Sequence, residues 1–249
     1  MAAQRIRYQT SARTHIGRVK ERNQDNVWLL SGSGFVCGAV VDGLGEAVEG
    51  VEASQIVVEC LETIFQDNQA LENMNDEVLA KLLTEALSTA NQRILEHLPR
   101  AGSTVTAVFV HDLRAVIAHV GASRAYVVST DKENSVQLTT DHTVMMPLIA
   151  LDDWEPQDLT PKSVLYRALG QAETIEIDVS NINLQIGDRL LLCTDGHYHY
   201  VSPDEMAAIT LTETNPDDAT QKLIDLANER GGEDNISVVI IAVETEKLD

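Results

Sequence analysis

The sequence has few basic residues, few cysteines and no long hydrophobic run, and each shortage excludes a class of protein. Its 249 residues carry 18 Lys and Arg against 39 Asp and Glu, a formal net charge of −21. This excess of acid argues against binding to the phosphate backbone of a nucleic acid or to an anionic membrane surface. The longest strongly apolar run, Ile236–Val243, is far shorter than the roughly 20 residues that span a bilayer.

The cysteines and the first residues indicate the compartment. Cys37, Cys60 and Cys193 lie in apolar stretches, and an odd number does not suit a disulfide framework. The first residues lack the apolar segment of a secretory signal. We therefore expect reduced, buried cysteines and a cytoplasmic location.

The basic residues that are present cluster at one end of the chain. Residues 1–22 contain six of the 18, with one acidic residue, Glu21. The six are Arg5, Arg7, Arg13, Arg18, Lys20 and Arg22. An anionic ligand is therefore expected near the N-terminus.

Hydrophobic periodicity predicts a mixed fold in a chain that is 44% hydrophobic. Apolar residues at three- and four-residue steps predict helices over 49–65, 75–98, about 203–210 and 217–229. Short β-like runs predict strands over 26–30, 35–41, 104–110, 115–120, 124–129, 176–179, 189–194 and 236–243. The order lacks a regular βαβ alternation, so it favours an α+β fold with antiparallel sheets over a doubly wound parallel sheet.

The remaining segments are interpreted as connections within a single domain spanning 1–249. Residues 130–134 are predicted to form a polar loop. Residues 143–163 hold three of the six prolines and show no clear period, which predicts a flap or surface lobe at about 143–170.

Three acidic residues stand where a predicted strand begins or ends. Asp42-Gly43 and Asp195-Gly196 each follow a strand, and Asp234-Asn235 precedes the last one. Each alone is typical of a turn-capping Asp. Together, with no competing Cys/His cluster in the sequence, they predict a site for a hard divalent cation, because adjacent carboxylates repel unless something cancels their charge. Oxygen ligands suit Mg²⁺ or Mn²⁺.

These acidic residues belong to seven motifs, and through them the chain resembles the metal-dependent type-2C (PPM) serine/threonine protein phosphatases, as a bacterial-type single-domain member. The motifs occur in order over nearly the whole chain. They are Lys20-Glu21-Arg22-Asn23-Gln24-Asp25, Val41-Asp42-Gly43-Leu44-Gly45, Gly102-Ser103-Thr104, His119-Val120-Gly121-Ala122-Ser123-Arg124, Thr140-Asp141-His142, Cys193-Thr194-Asp195-Gly196 and Gly231-Gly232-Glu233-Asp234-Asn235.

The resemblance implies a four-layer α-β-β-α sandwich, with two central antiparallel sheets flanked by helix pairs and two Mn²⁺ or Mg²⁺ ions at one sheet edge. Asp42 would bridge the ions and the carbonyl of Gly43 would complete one shell. Asp195 and Asp234 would hold the other ion. Asp25 would act through water, and Asn235 would brace the site.

The implied activity is hydrolysis of phosphoserine and phosphothreonine in proteins by a metal-bridged hydroxide. Lys20 would hold the substrate phosphate, and Arg18 and Arg22 either assist it or are simply solvated. The expected partner is a phosphorylated protein substrate, and the protein is expected to be a monomer. Neither a nucleic acid nor a membrane is expected as a partner.

Four positions depart from the family pattern. Lys20 stands where relatives commonly carry Arg, so the bidentate grip on phosphate is lost. Glu46 replaces a glycine and could be an extra ligand, a base beside the metals or an exposed side chain; we favour exposure. Leu44 stands where some relatives carry a His that can protonate the leaving group. Ala122 replaces the Asp of a third, weaker metal site, which is therefore expected to be lost, and this puts full turnover in doubt.

The histidines allow several interpretations. His142 is expected near the flap, and His119 is expected to be structural. His197 and His199, two residues apart, would share one side of an extended segment, where a metal or phosphate contact is conceivable. Tyr198 is interpreted as a packing residue.

Two functions therefore compete. The first is catalysis, which the retained core ligands favour. The second is a weakly active or inactive phosphoprotein-binding regulatory module of the same fold, which Lys20, Glu46 and Ala122 favour together. A third, weaker hypothesis is a phosphatase for small molecules or for one signalling partner.

Overall fold

The computed structural model describes residues 4–66, 71, 74–130, 134–146 and 162–247. Its strands are β1 (Gln4–His15), β2 (Asp25–Gly32), β3 (Phe35–Leu44), β4 (Gly102–His111), β5 (Arg114–Val120), β6 (Arg124–Ser129), β7 (Asn134–Gln137), β8 (Thr143–Met146), β9 (Lys162–Leu165), β10 (Asp178–Asn183), β11 (Arg189–Cys193) and β12 (Ile236–Lys247). Its helices are α1 (Ala47–Gln66), α2 (Asp76–His97), α3 (Asp195–Tyr198), α4 (Pro203–Thr212) and α5 (Pro216–Glu229).

The strands form two five-stranded antiparallel sheets and one hairpin. The β4 sheet has the order β10-β5-β4-β3-β2, and the β12 sheet has the order β1-β12-β11-β6-β7. Strands β8 and β9 pair separately, with Thr143 opposite Leu165. Helices α1 and α2 pack on the β4 sheet, whereas α4 and α5 pack on the β12 sheet.

Three apolar layers hold these four structural layers together. Val40 and Ile117 of the β4 sheet pack with Ile241 in the layer between the sheets. Because successive strand residues point to opposite faces, Ile240 lies instead in the layer beneath α4 and α5. Burial on both faces explains why this strand is a continuous apolar run. The predicted α-β-β-α sandwich is confirmed.

Local signals explain where the helices begin. The side chain of Asn75 accepts a hydrogen bond from the backbone N–H of Val78 at the start of α2. Ser202 and Glu205 form a capping box at the start of α4, which also has a proline in its first turn. These caps satisfy N–H groups that have no partner within the helix.

The structure corrects several sequence predictions. Strand β1 was not predicted; its outward residues are polar and pair with acidic groups, as Arg7 does with Glu246. The predicted polar loop at 130–134 ends in β7, which begins at Asn134. Strand β10 begins at Asp178, later than predicted, on a largely exposed sheet edge where hydrophobic patterning is weak. Of the predicted flap, residues 143–146 and 162–165 form β8 and β9, and 147–161 lie outside the described residues.

Two further expectations concern the core and the membrane. Cys37, Cys60 and Cys193 are buried and free, as expected. Among the helices of the described residues, none combines the length and the apolar character required to cross a bilayer.

Candidate functional site

Four carboxylates meet at one end of the sandwich. Asp25 and Asp42 are opposite each other in the pairing of β2 with β3. Asp195 lies two residues after the end of β11, and Asp234 lies two residues before β12, the neighbouring strand. Each sheet therefore contributes two acidic residues. The carboxylates are close enough for the charges of Asp25, Asp195 and Asp234 all to act on Asp42.

The glycines that follow two of these acidic residues allow neighbouring backbone segments to approach closely. A Cβ on Gly43 would lie 1.9 Å from the backbone oxygen of Gly50. A Cβ on Gly196 would lie 2.0 Å from the backbone oxygen of Asn235. Neither position has room for a side chain, which explains the Asp-Gly pairs in physical terms.

Crowding and burial make ionisation of these acidic residues costly. Burial raises the pKa of Asp42 well above its usual value, and the charges of Asp25, Asp195 and Asp234 raise it further. Burial also raises the pKa of Asp25 to about 7, although hydrogen bonds to its carboxylate oppose this. The pKa of Asp195 is raised by burial and by Asp234, against the opposing attraction of His199. Such a group favours the binding of positive charge.

Hydroxyl groups from the β12 sheet fix the Asp25 carboxylate. Thr194 Oγ1 donates to Asp25 Oδ2 at 2.8 Å, and Ser237 Oγ donates to the same oxygen at 2.7 Å. Asp25 thus links the two sheets through hydrogen bonds. The roles of Thr194 and Ser237 were not predicted from the sequence, although Thr194 directly precedes Asp195 and Ser237 lies two residues after Asn235.

Lys20 supplies positive charge to this group. Its Nζ lies 2.7 Å from Asp234 Oδ1. Burial acts to lower the pKa of Lys20. The hydrogen bond to Asp234 and the charges of Asp42 and Asp195 outweigh this effect, so the pKa is raised. Lys20 is therefore fully charged at neutral pH and faces the carboxylates.

Asn235 braces the segment that carries Lys20. Its Oδ1 accepts a hydrogen bond from the backbone N–H of Gln24 at 2.8 Å. Its Nδ2 donates to the carbonyls of Ile16 and Arg22 at 2.9 and 3.0 Å. One buried side chain thus holds both ends of the loop between β1 and β2.

The other charged candidates lie on the surface. Arg18 and Arg22 are exposed, and the backbone N–H of Arg18 donates to Gly232 O at 2.7 Å. Glu46 is also exposed, as favoured from the sequence. No side-chain hydrogen bond or ion pair involves any of the three within the described residues.

A cavity of about 150 Å³ opens beside Asp42 and Asp195. Its wall comes from the Asp-Gly turns, the β5–β6 loop, the β8–β9 hairpin and the end of α3. The other lining residues are Leu44, Thr104, Ala122, Thr143, Ser163, Leu165, Tyr198 and His199. A larger cavity of about 360 Å³ lies at His119 and β10, away from the carboxylates. The carboxylate group identifies the smaller cavity as the candidate site.

The expectation that His197 and His199 share one side is wrong. Residues 195–198 form a helical turn, in which residues two apart point in different directions. His197 is fully buried, and burial lowers its pKa to about 3. It cannot contact a substrate or ligand in this cavity. His199 is exposed and lines the cavity.

His142 ties the base of the hairpin to the β5–β6 loop. Its Nδ1 accepts a hydrogen bond from the backbone N–H of Gly121 at 2.9 Å. Its carbonyl accepts from the N–H of Tyr166 at 2.9 Å, just beyond β9. Its Nε2 lies 3.2 Å from Asp178 Oδ2. His142 is near the predicted flap, and its contacts in the described residues are structural.

Tyr198 does more than pack. Its hydroxyl donates to the carbonyl of Ala122 at 3.0 Å. The guanidinium of Arg124 lies over the Tyr198 ring, 3.6 Å from its centroid, and donates to Asp141 at 2.7 Å. Tyr198 therefore contacts the backbone at Ala122, the position where the sequence resemblance implies an Asp.

The residues fit a hard divalent cation by charge and by chemistry. Asp42, Asp195, Asp234 and Asp25 offer carboxylate oxygens, and Asp42 and Asp195 reach the cavity. Within the described part of the chain, no three His, Cys, Asp or Glu side chains are already arranged as a ligand cluster around one point. Of the Asp234 carboxylate, Oδ1 contacts Lys20 Nζ and accepts a hydrogen bond from the backbone N–H of Asn235.

Comparison with known proteins gives a consistent picture. Residues 13–229 match the family model described as protein phosphatase 2C. The serine/threonine phosphatase stp of Listeria innocua is 30% identical over 239 residues, which cover 92% of this chain and 93% of that protein.

Solved structures agree with this match. The S. agalactiae serine/threonine phosphatase has a TM-score of 0.80 at 27% identity, covering 96% of this chain and 100% of its own. The catalytic domain of the serine/threonine phosphatase PstP, solved with two manganese ions, has a TM-score of 0.74 at 26% identity, covering 97% and 100%.

Proposed function

Because this chain belongs to the protein phosphatase 2C family, we propose that it is a protein serine/threonine phosphatase that hydrolyses phosphoserine and phosphothreonine esters in proteins. One observation carries the proposal: Asp25, Asp42, Asp195 and Asp234, from four separate segments, lie close enough for their charges to act on one another, and two of them line a cavity. The whole chain would act as one catalytic domain, and Thr143, Ser163 and Leu165, from the described parts of the predicted flap, line that cavity. The free, buried cysteines support a cytoplasmic location.

The metal dependence proposed here rests on the donor set. Asp42, the carbonyl of Gly43, Asp195 and Asp234 would hold two Mn²⁺ or Mg²⁺ ions, the number seen in the PstP complex. Bound ions would supply Lewis acidity and lower the pKa of water in the cavity. The third site is expected to be absent, since Ala122 offers no carboxylate.

The residues of the chain bind and orient the substrate. Lys20 donates hydrogen bonds to the phosphoryl oxygens, and Asn235 keeps the Lys20 loop in place. Asp25 is held by Thr194 and Ser237, so the carboxylates keep their spacing. In the reaction the oxygen of water bonds to phosphorus, the ester P–O bond breaks, and its electron pair stays on the seryl or threonyl oxygen. A proton from water ends on that oxygen.

An assay of phosphate release tests this function. With Mn²⁺, wild-type protein is expected to dephosphorylate a phosphoserine peptide and p-nitrophenyl phosphate. Asp42→Ala and Asp234→Ala should each lower turnover by roughly 1,000-fold, because they remove ligands worth several kcal/mol to the transition state. Glu46→Ala, at an exposed position, is the matched control. Unchanged rates in the two Asp variants would refute the assignment.

Two observations favour the second candidate, a phosphoprotein-binding module. The carboxylates are not arranged as a ligand cluster within the described residues, and Lys20 replaces the family's Arg. In that case the same phosphopeptide would bind tightly in the presence of Mn²⁺ without release of phosphate. Catalysis remains the better-supported function because the carboxylate group is complete.

A further inference from the structure

His199 occupies a special position at the wall of the cavity. It directly follows α3, and its backbone N–H donates to the Asp195 carbonyl at 3.0 Å. This turn sends His197 into the core and leaves His199 exposed in the cavity with Asp42 and Asp195.

The neighbouring aromatic ring holds His199 in this orientation. The Tyr198 and His199 rings meet edge to face, with centroids 4.8 Å apart and planes at 65°. Tyr198 is itself fixed by the carbonyl of Ala122 and by the guanidinium of Arg124. The cavity wall thus has a rigid support for an exposed imidazole.

The ring nitrogens of His199 are available to a ligand. No hydrogen bond within the described residues involves them, whereas the Tyr198 hydroxyl donates to Ala122 and the Thr104 hydroxyl pairs with Ser123. Leu44, on the same wall, has no donor to offer. Thr143 and Ser163, from the β8–β9 hairpin, also line the cavity.

The leaving group of the proposed reaction needs such a donor. A seryl or threonyl oxygen is strongly basic when the ester bond breaks, so a hydrogen bond to it stabilises the transition state. An imidazole carries an N–H in either neutral tautomer and in the cation, so this contact does not depend on its protonation state. The carboxylates, when ionised, can only accept.

We propose that His199 is a catalytic residue whose imidazole donates a hydrogen bond to the departing seryl or threonyl oxygen. The inference rests on the proposed phosphatase function and adds the residue on the leaving-group side. The ester P–O bond breaks with its electron pair on that oxygen, which the hydrogen bond stabilises until a proton from the attacking water completes the hydroxyl.

Two substrates with different leaving groups distinguish a contact to the leaving group from an effect of His199 that is the same for every substrate. A phosphoserine peptide releases a basic alkoxide, whereas p-nitrophenyl phosphate releases a stabilised phenolate that needs no donor. His199→Leu is expected to lower kcat on the peptide by about 10- to 100-fold, the effect of a hydrogen bond to a charged group. On p-nitrophenyl phosphate the loss should stay within about 3-fold. His199→Gln, which keeps an N–H donor, should recover part of the peptide activity.

The controls keep the two proposals distinguishable. His97→Leu alters an exposed histidine at the end of α2, outside the cavity, and should match wild type on both substrates. Mn²⁺ affinity, measured by titration calorimetry, should be the same in His199→Leu and wild type. Equal losses on both substrates, no loss on either, a glutamine variant as poor as leucine, or weaker Mn²⁺ binding would overturn the role of His199. Activity of wild type on p-nitrophenyl phosphate would still support the phosphatase function.

Discussion

Two groups of acidic residues lie near the same end of the sandwich, and they are neutralised in different ways. In the carboxylate site, Lys20 forms an ion pair with Asp234, and its charge also acts on Asp42 and Asp195. In the second group, which we call the arginine cluster, Arg124 binds Asp141, and Arg167 binds Glu176 and Asp178 at 3.0 and 2.7 Å.

The pKa of Asp178 in the arginine cluster and the pKa of Asp42 in the carboxylate site are shifted in opposite directions. Partial burial acts to raise the pKa of Asp178, but hydrogen bonds from His142 and Arg167 outweigh it and lower that pKa. In the carboxylate site, burial and mutual repulsion raise the pKa of Asp42. The arginine cluster is therefore complete as it stands and supports the cavity wall. The carboxylate site has charge that is suited to further cations.

The largest effect on stability is expected in the arginine cluster. Arg167→Ala leaves Asp178 and Glu176 without their cation and should lower the free energy of unfolding by about 2 kcal/mol, the usual value for lost hydrogen bonds to charged groups. Urea denaturation at pH 7 measures this. Arg100→Ala is the matched control, because the Arg100 guanidinium makes no hydrogen bond to the described residues and is exposed. Equal stability of the two variants would contradict the structural role of Arg167.

In the carboxylate site, removal of a charge is expected to raise the free energy of unfolding instead of lowering it. In a chelating buffer at pH 8, Asp42→Asn should raise the free energy of unfolding by about 1 kcal/mol, because it removes a buried charge that its neighbours repel. A carboxyl whose pKa is raised on folding contributes stability at low pH and loses it as the pH rises through the folded value. The advantage of the asparagine should therefore shrink towards pH 5.

Asp178→Asn is the control for that experiment. It removes a charge that Arg167 and His142 stabilise, so it should lower stability at pH 8. Thermal unfolding at both pH values gives the comparison. If Asp42→Asn were destabilising to the same degree as Asp178→Asn, the two groups would not differ as described.

The sequence predicted the buried parts of the fold better than its edges. Helices α1 and α2 and strands β3 and β4 have continuous apolar faces, and their periodicity is readable. Strand β1 alternates inward residues such as Ile6 and Tyr8 with charged ones, so its apolar pattern is weak. Strand β10, at the edge of its sheet, is largely exposed and carries little hydrophobic signal.

In the site, the sequence located the acidic residues but not their environment. The Asp-Gly pairs are visible because the backbone leaves no room for a Cβ at Gly43 and Gly196. The hydroxyls that hold Asp25 depend on the approach of two sheets, which no local pattern reveals. His197 is buried and His199 is exposed because of a helical turn only four residues long, which the sequence pattern does not reveal.

Titration of metal-free protein with Mn²⁺ tests the central claim most directly. Calorimetry should show uptake of two ions by wild type, the number in the PstP complex. Asp178→Asn should bind them equally well, and Asp42→Asn should lose at least one. Absence of uptake by wild type, or unchanged uptake by Asp42→Asn, would contradict the assignment of the carboxylate site as a metal centre.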